Sequence, residues 1–197
     1  MDIRTEKIIK HYTISVNPYA NKNDIIVYLY KLQNNDLLVA TALGVYQYNS
    51  QKDIFEQLSQ FPNNCRIQTL FEDHDGVIWA GTSNKGLYYY NPTTSQHGEF
   101  KLDTVNTSRT INNIYEDRKN NLWFATGDGI KIYDRSTQQT TKYDMQDGLP
   151  SNVIYRIEED KKGNMWISTA NGLARLNPKN HKIKVFKKEH GLTSNQF

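Results

Sequence analysis

Short apolar runs separated by polar turns make up residues 153–176, which read VIYRIEEDKKGNMWISTANGLARL. The three runs are β-prone and too short for helices, and each turn between them contains Asn or Gly. These two residue types supply the left-handed backbone that tight hairpin turns require. The stretch is therefore predicted to form a three-stranded antiparallel meander.

The same pattern recurs upstream at a nearly constant period. Residues 66–90 and 110–133 repeat it clearly, and residues 24–48 repeat it in a weaker form. The tryptophans Trp79, Trp123 and Trp166 are 44 and 43 residues apart, and a Glu-Asp pair precedes each of them. A period in this range is typical of propeller blades and other repeat architectures.

Each repeat continues with a fourth, more polar run, which belongs on the outside of a small sheet. Four strands per repeat with no helical periodicity predict an all-β protein made of β-propeller blades. Trp79, Trp123 and Trp166 are expected to fill the space between neighbouring sheets as blade core. In the weaker repeat Leu38 takes the place of the tryptophan.

We expect a single propeller fragment of about four full blades with partial blades at both ends. The predicted divisions are the end of a preceding blade at 1–23, blades at 24–60, 61–104, 105–147 and 148–190, and the start of a further blade at 191–197. The alternative for the N-terminal residues is a frayed arm. Such an arc would not close into a ring, and its apolar ends would favour self-association into a dimer.

The repeat resembles the two-component regulator propeller repeat. The resemblance lies in IEEDKKGNMWISTANGLARLNP, in FEDHDGVIWAGTSNKGLYYYNP and in the connection DGLPSN, and it covers about residues 24–197. The first repeat departs from the pattern because it lacks both the Glu-Asp pair and the Trp.

Such repeats form the periplasmic sensor region of hybrid two-component histidine kinases, which typically respond to oligosaccharides and control transcription. The resemblance therefore implies a periplasmic, ligand-sensing segment of a parent protein that is anchored in the inner membrane. No kinase motif is present in this chain, and no nucleotide-binding loop either.

The composition excludes several other classes. The net charge of +3 is too small, with both signs interleaved, to predict a nucleic-acid partner, and no apolar run is long enough for a membrane-spanning helix. Cys65 is the one cysteine, which excludes an intramolecular disulfide. We expect no metal and no other cofactor, because the histidines lack ligand spacing and the calcium-like start at residues 73–76 lacks its glutamate.

No catalytic constellation is recognisable, so we predict a binding module and not an enzyme. The alternatives are a propeller-fold carbohydrate-active hydrolase or lyase and a protein-interaction scaffold.

Candidate ligand-binding residues lie where strands two and three are joined and where one blade passes to the next, because both connections are at the same end of each sheet. Polar side chains there vary between repeats and would suit an oligosaccharide. They are Asn84, Lys85, Arg109, Asn112, Asp128, Asn152 and Asn171.

Overall fold

The computed structural model describes residues 10–12, 14, 25–102 and 108–194. This part of the chain contains sixteen strands in four sheets, which we number as blades 1 to 4. Blade 1 consists of β1 (Ile26–Lys31), β2 (Leu37–Thr41), β3 (Val45–Asn49) and β4 (Ile54–Gln57). Blade 2 consists of β5 (Ile67–Glu72), β6 (Ile78–Thr82), β7 (Leu87–Tyr90) and β8 (His97–Phe100). Blade 3 consists of β9 (Ile111–Glu116), β10 (Leu122–Thr126), β11 (Gly129–Asp134) and β12 (Gln139–Tyr143). Blade 4 consists of β13 (Ile154–Glu159), β14 (Met165–Thr169), β15 (Gly172–Asn177) and β16 (Lys182–Phe186).

The strands of each sheet pair antiparallel and in chain order, so each blade is a four-stranded meander. Single 3₁₀ turns at Met145–Asp147 and Lys188–His190 follow blades 3 and 4. The prediction of an all-β protein made of propeller blades is confirmed.

The blades are arranged as an open arc. The first strands β1, β5, β9 and β13 contact one another in that order, whereas β13 and β1 make no extensive contact within the described residues. The first strands thus lie on the inner side of the arc, and the fourth strands lie outside.

An apolar layer lies between each pair of neighbouring blades. Leu38 and Ile67 are fully buried between blades 1 and 2. Trp79 packs between blades 2 and 3 at 5% exposure, and Trp123 packs between blades 3 and 4 at 2%.

Trp166 is different, because no described blade covers its face of blade 4. It is only half-buried, and it stacks on Phe186 with 5.3 Å between ring centroids. At the other end of the arc, Ile26 and Leu29 of β1 are 52% and 60% exposed. Both terminal sheets therefore present apolar side chains to solvent.

The aspartate of each Glu-Asp pair explains why that pair recurs with the tryptophan. One carboxylate oxygen of Asp117 accepts two backbone N–H groups of its own turn, each at 2.9 Å, and the other accepts the indole N–H of Trp123 at 2.8 Å. The same arrangement recurs in blades 2 and 4, at Asp73 with Trp79 and at Asp160 with Trp166. The two residues are one hydrogen-bonded unit.

Blade 1 lacks both members of this unit and replaces them together. Leu32 stands at the position of the aspartate and Leu38 at that of the tryptophan, and both are buried in the same apolar cluster. An aspartate without the indole N–H, or an indole without the carboxylate, would lose a hydrogen bond to a buried group. A pair of leucines avoids that loss.

The glutamate of each pair joins neighbouring blades. The Glu159 carboxylate in blade 4 accepts the backbone N–H of Arg118 in blade 3 at 3.1 Å. The corresponding bonds run from the N–H of Gln33 to Glu72 and from the N–H of His74 to Glu116. We call this contact the inter-blade glutamate bond.

A buried threonine closes the turn between the second and third strands of every blade. In blade 3 the Thr126 hydroxyl donates to the carbonyl of Gly129 at 2.8 Å and accepts the N–H of Asp128 at 2.9 Å. Thr41, Thr82 and Thr169 make equivalent bonds.

Of the two predicted partial blades, little falls within the described residues. Tyr12 and Ile14 pack on the free face of blade 1, where the Tyr12 hydroxyl donates to Asp53 at 2.6 Å and Ile14 is buried beside Val39. Apart from Lys10 and His11, the remainder of 1–23 lies outside the described residues, as do residues 195–197.

Candidate functional site

The candidate residues lie at the end of the sheets where the second and third strands are joined. Backbone hydrogen bonds tie these turns to the connections between blades, as from the N–H of Gly86 to the carbonyl of Arg109 at 2.8 Å and from that of Gly129 to the carbonyl of Asn152 at 2.6 Å. We call the surface formed by these turns and connections the loop face. The topology thus brings both sets of candidates to one surface.

Arg109, Lys85 and Asn84 form a polar part of the loop face beside blade 2. The Arg109 guanidinium donates to the carbonyl of Lys85 at 2.9 Å and to the Glu99 carboxylate at 2.8 Å. The Lys85 ammonium donates to the carbonyl of Asn63 at 3.2 Å, while Asn84 is exposed. These cations are held in place by acceptors at the rim of blade 2 and still face solvent.

Asp128 and Asn152 are engaged within blade 3 and its connection to blade 4. Asp128 pairs with Lys142 at 3.1 Å, and this hydrogen bond raises the pKa of the lysine. The Asn152 side-chain oxygen accepts the N–H of Met145 at 2.9 Å. Asn152 therefore orients the connection between the two blades.

Asn171 and Asn112 make contacts between blades or connections. The exposed Asn171 amide donates to the carbonyl of Pro150 at 3.3 Å. The Asn112 amide donates to the carbonyl of Ile154 at 2.7 Å and so links β9 to β13. Asn112 is half-buried, and its amide nitrogen is committed to this bond between blades.

A β-bulge that the sequence pattern did not reveal occurs near the start of every inner strand. The pairing register skips one residue in each blade, namely Val27, Gln68, Asn112 and Tyr155. A bulge turns its side chain away from the regular alternation of the strand, and bulges are common beside binding sites. The four positions differ in chemistry, from apolar Val27 to 41% exposed Tyr155, so the inner rim of the loop face is not uniform. The sequence does contain one signal for these bulges, because the residue type at this fixed position of the repeat differs in every blade.

The calcium-like stretch at residues 73–76 is a hairpin turn. The Asp73 side chain is completely buried and its oxygens accept N–H groups of the turn and of Trp79. Among the described residues no group of three His, Cys, Asp or Glu side chains is placed to hold a metal ion.

The sequence matches the family model described as "Two component regulator propeller" at residues 60–84, 107–128 and 148–171. These three segments contain the connection into blades 2, 3 and 4 and their first two strands. No protein with a curated description matches the chain.

Solved structures with the same fold include extracellular domains of two putative hybrid two component systems from B. thetaiotaomicron. The BT3049 domain shares 26% identity at a TM-score of 0.77, over 87% of this chain and 24% of that one. The BT4673 domain shares 20% identity at a TM-score of 0.72, over 85% of this chain and 25% of that one. The chain thus spans about a quarter of the length of these structures.

An enzyme also shares the fold. Virginiamycin B lyase from Staphylococcus aureus is 17% identical at a TM-score of 0.67, over 91% of this chain and 59% of that one. The fold by itself therefore does not separate binding from catalysis.

No helix in the described ranges is long and apolar enough to cross a membrane. The repeat signature, the bonds that its residues make and the family match agree with one another. Blades 2, 3 and 4 of this chain carry the repeat that the "Two component regulator propeller" family model describes.

Proposed function

We propose that this chain is a ligand-sensing segment of the periplasmic region of a hybrid two-component sensor kinase. In this proposal the ligand is an oligosaccharide, and the parent protein is anchored in the inner membrane and passes the signal to transcription. The observation that best supports it is the combination of 26% identity and a TM-score of 0.77 with the extracellular domain of a putative hybrid two component system.

The chemistry of the loop face favours binding over catalysis. Apart from Asp128, the candidate side chains are amides and cations, such as Asn84, Lys85 and Arg109, and they suit the paired hydrogen bonds of sugar hydroxyls. Arg109 is fixed by Glu99 and by a backbone carbonyl, which reduces the entropy that binding would cost.

The test is a titration of neutral oligosaccharides against the chain and two variants. Asn84→Ala/Lys85→Ala removes two side chains from the loop face and should weaken binding severalfold. Gln51→Ala/Lys52→Ala makes the same kind of change at the opposite end of blade 1 and should leave binding unchanged. Equal affinities for the two variants would refute the loop-face site. Turnover of any oligosaccharide would support the enzyme alternative instead.

We further propose that copies of this chain self-associate through the terminal sheets. β1 and β13 expose apolar side chains, including Leu29 and Tyr155. Between neighbouring blades of the arc, apolar side chains are buried. Light scattering over a concentration series should show a dimer, and Leu29→Lys should shift it towards the monomer. A monomer at every concentration would refute this proposal.

A further inference from the structure

A cleft of about 400 Å³ lies between blades 3 and 4 at the end opposite the loop face. It opens between the turn that joins β9 to β10, the turn that joins β13 to β14, and the turn that joins β15 to β16. Ligand pockets for small molecules are typically about 300–1,000 Å³, so the cleft is large enough for one small organic molecule. None of the loop-face candidates lines it.

The corresponding space between blades 2 and 3 is occupied by an arginine. Arg135, just after β11, pairs with Asp73, with Asp75 at 3.2 Å and with Glu116 at 3.5 Å. Its side chain is 24% exposed and bridges the two blades. This interface is therefore closed by a charged network of its own.

Two replacements open the equivalent interface between blades 3 and 4. Pro178, which lines the cleft, follows β15 where Arg135 follows β11, so blade 4 has no arginine at this position. Lys119 stands one repeat after Asp75, which reverses the charge at that position. The cleft exists because the side chain that fills its counterpart is absent and a lysine replaces the acid.

One arginine and four lysines line the cleft. Arg118 is oriented by the carbonyls of Asp160 and Lys161, at 3.0 and 3.3 Å, and by the Glu159 carboxylate. Four lysine ammonium groups that line the cleft form no ion pair within the described ranges 10–12, 14, 25–102 and 108–194: Lys119, Lys161, Lys162 and Lys179.

The acidic residues of the cleft are already engaged. Asp117 binds the N–H groups of its turn and Trp123, and Glu159 makes the inter-blade glutamate bond. Asp134 accepts from the hydroxyl and N–H of Ser136, and these bonds lower its pKa, with the hydroxyl bond as the largest cause. The lysines are thus the charged groups of the cleft that remain available to a ligand.

The floor of the cleft is apolar. It contains Met165, which is 1% exposed, the half-buried Ile132, and Tyr143, whose hydroxyl bonds to His181. A cleft with an apolar floor and a cationic mouth matches a molecule with a ring body and a charged oxyanion group.

We propose that this cleft is a binding site for a small organic anion, with the ring on the floor and a carboxylate, sulfate or phosphate group among the lysines. The site is independent of the oligosaccharide site on the loop face. Occupancy would hold blades 3 and 4 together as Arg135 holds blades 2 and 3.

Calorimetric titration with glucuronate, glucose 6-sulfate and glucose 6-phosphate, at millimolar concentration, tests the proposal. At least one anion should bind, glucose should not, and comparison of the three identifies the oxyanion. Inorganic phosphate and sulfate test the role of the ring, and they should bind more weakly than the sugar anion that carries the same group. If none of the sugar anions binds, the proposal fails.

Two charge-matched variants test the lysines. Lys161→Gln/Lys162→Gln should weaken binding about tenfold, because two exposed charge pairs are lost. The hydrogen bonds of this turn use main-chain atoms of these residues, so the fold is expected to persist. Lys31→Gln/Lys101→Gln lowers the net charge equally in blade 1 and after blade 2, and it should not change the affinity.

A substitution that fills the cleft without changing its charge distinguishes binding at a defined site from general electrostatic attraction of anions. Thr141 is exposed on β12 and lines the cleft, so Thr141→Trp should fill it while every lysine remains. We expect loss of anion binding with unchanged oligosaccharide binding and an unchanged circular dichroism spectrum. Anion binding that survives the plug would overturn the proposal without affecting the proposed function.

Discussion

Replacement of Thr126 by valine tests whether the recurring threonine is selected for its hydroxyl. Thr126 is completely buried, and its hydroxyl makes one bond to the carbonyl of Gly129 and one to the N–H of Asp128. Valine has nearly the same shape and is favourable in strands, so the change removes the two hydrogen bonds and little else.

The expected loss follows from these two bonds. Each contributes about 1 kcal/mol net, and a buried group left without a partner adds to the loss, so Thr126→Val should destabilise the protein by about 2–3 kcal/mol. For a chain of this size roughly 2–4 °C of melting temperature corresponds to each kcal/mol, so the midpoint should fall by roughly 4–12 °C.

Urea unfolding monitored by tryptophan fluorescence measures the difference, and hydrogen exchange at the Asp128 amide locates it. Thr126→Ser keeps the hydroxyl and should lose less stability than the valine variant. Thr141→Val makes the same change on the exposed β12 strand and should be within about 0.5 kcal/mol of wild type. If Thr126→Val were as stable as wild type, or if the Asp128 amide kept its protection, the role assigned to the hydroxyl would be refuted.

Three further predictions concern packing and charge. An added Cβ at Gly81 would lie 2.7 Å from both Ile111 and Thr69, so Gly81→Ala should cost about 1–3 kcal/mol in urea unfolding, whereas Ser168→Ala at the equivalent position of blade 4 should be tolerated. Arg135→Ala leaves the buried Asp73 without its cation and should lower the free energy of unfolding by roughly 3 kcal/mol. Arg156→Ala removes an exposed ion pair and should lower it by less than about 1 kcal/mol. Equal losses of stability in the two variants would contradict the role assigned to the Arg135 network. Hydrogen bonds from the Asn164 side chain, the backbone of the turn and the Trp166 indole hold the pKa of Asp160 well below its ordinary value. The stability it contributes is complete above the ordinary aspartate pKa of about 3.9 and is lost as the pH falls towards the lowered value. The deficit of Asp160→Asn relative to wild type should therefore shrink in acid, and a deficit that is independent of pH would contradict this assignment.

The repeat period and the alternation of strands and turns were enough to predict the blades, because every blade buries its apolar positions in the same way. Trp79 and Trp123 are buried between blades, whereas Trp166 occupies the same repeat position and is only half-buried, since a tryptophan at a blade's second strand needs the next blade to cover it. The sequence alone does not show which blades have a covered face.

The details of the two sites depend on differences between the repeats, and the pattern that the repeats share does not show these differences. The bulge at Asn112 and the bridging role of Arg135 follow from backbone register and from contacts between residues about sixty positions apart. Pro178 is the last residue of the repeat motif, as Pro92 is in blade 2, and its consequence for the cleft emerges only when its position is compared with that of Arg135.

The inter-blade glutamate bond has a direction. Each of blades 2, 3 and 4 contributes the carboxylate for the turn of the blade before it, and the turns of blades 1, 2 and 3 contribute the main-chain N–H. Because the acceptor is a fixed side chain and the donor is backbone, any copy of the repeat can follow any other without a matching change in its neighbour. If a gene segment encoding one blade is duplicated or deleted, the inter-blade glutamate bond can form again between the blades that become neighbours. The number of blades can therefore vary during evolution while this contact stays the same.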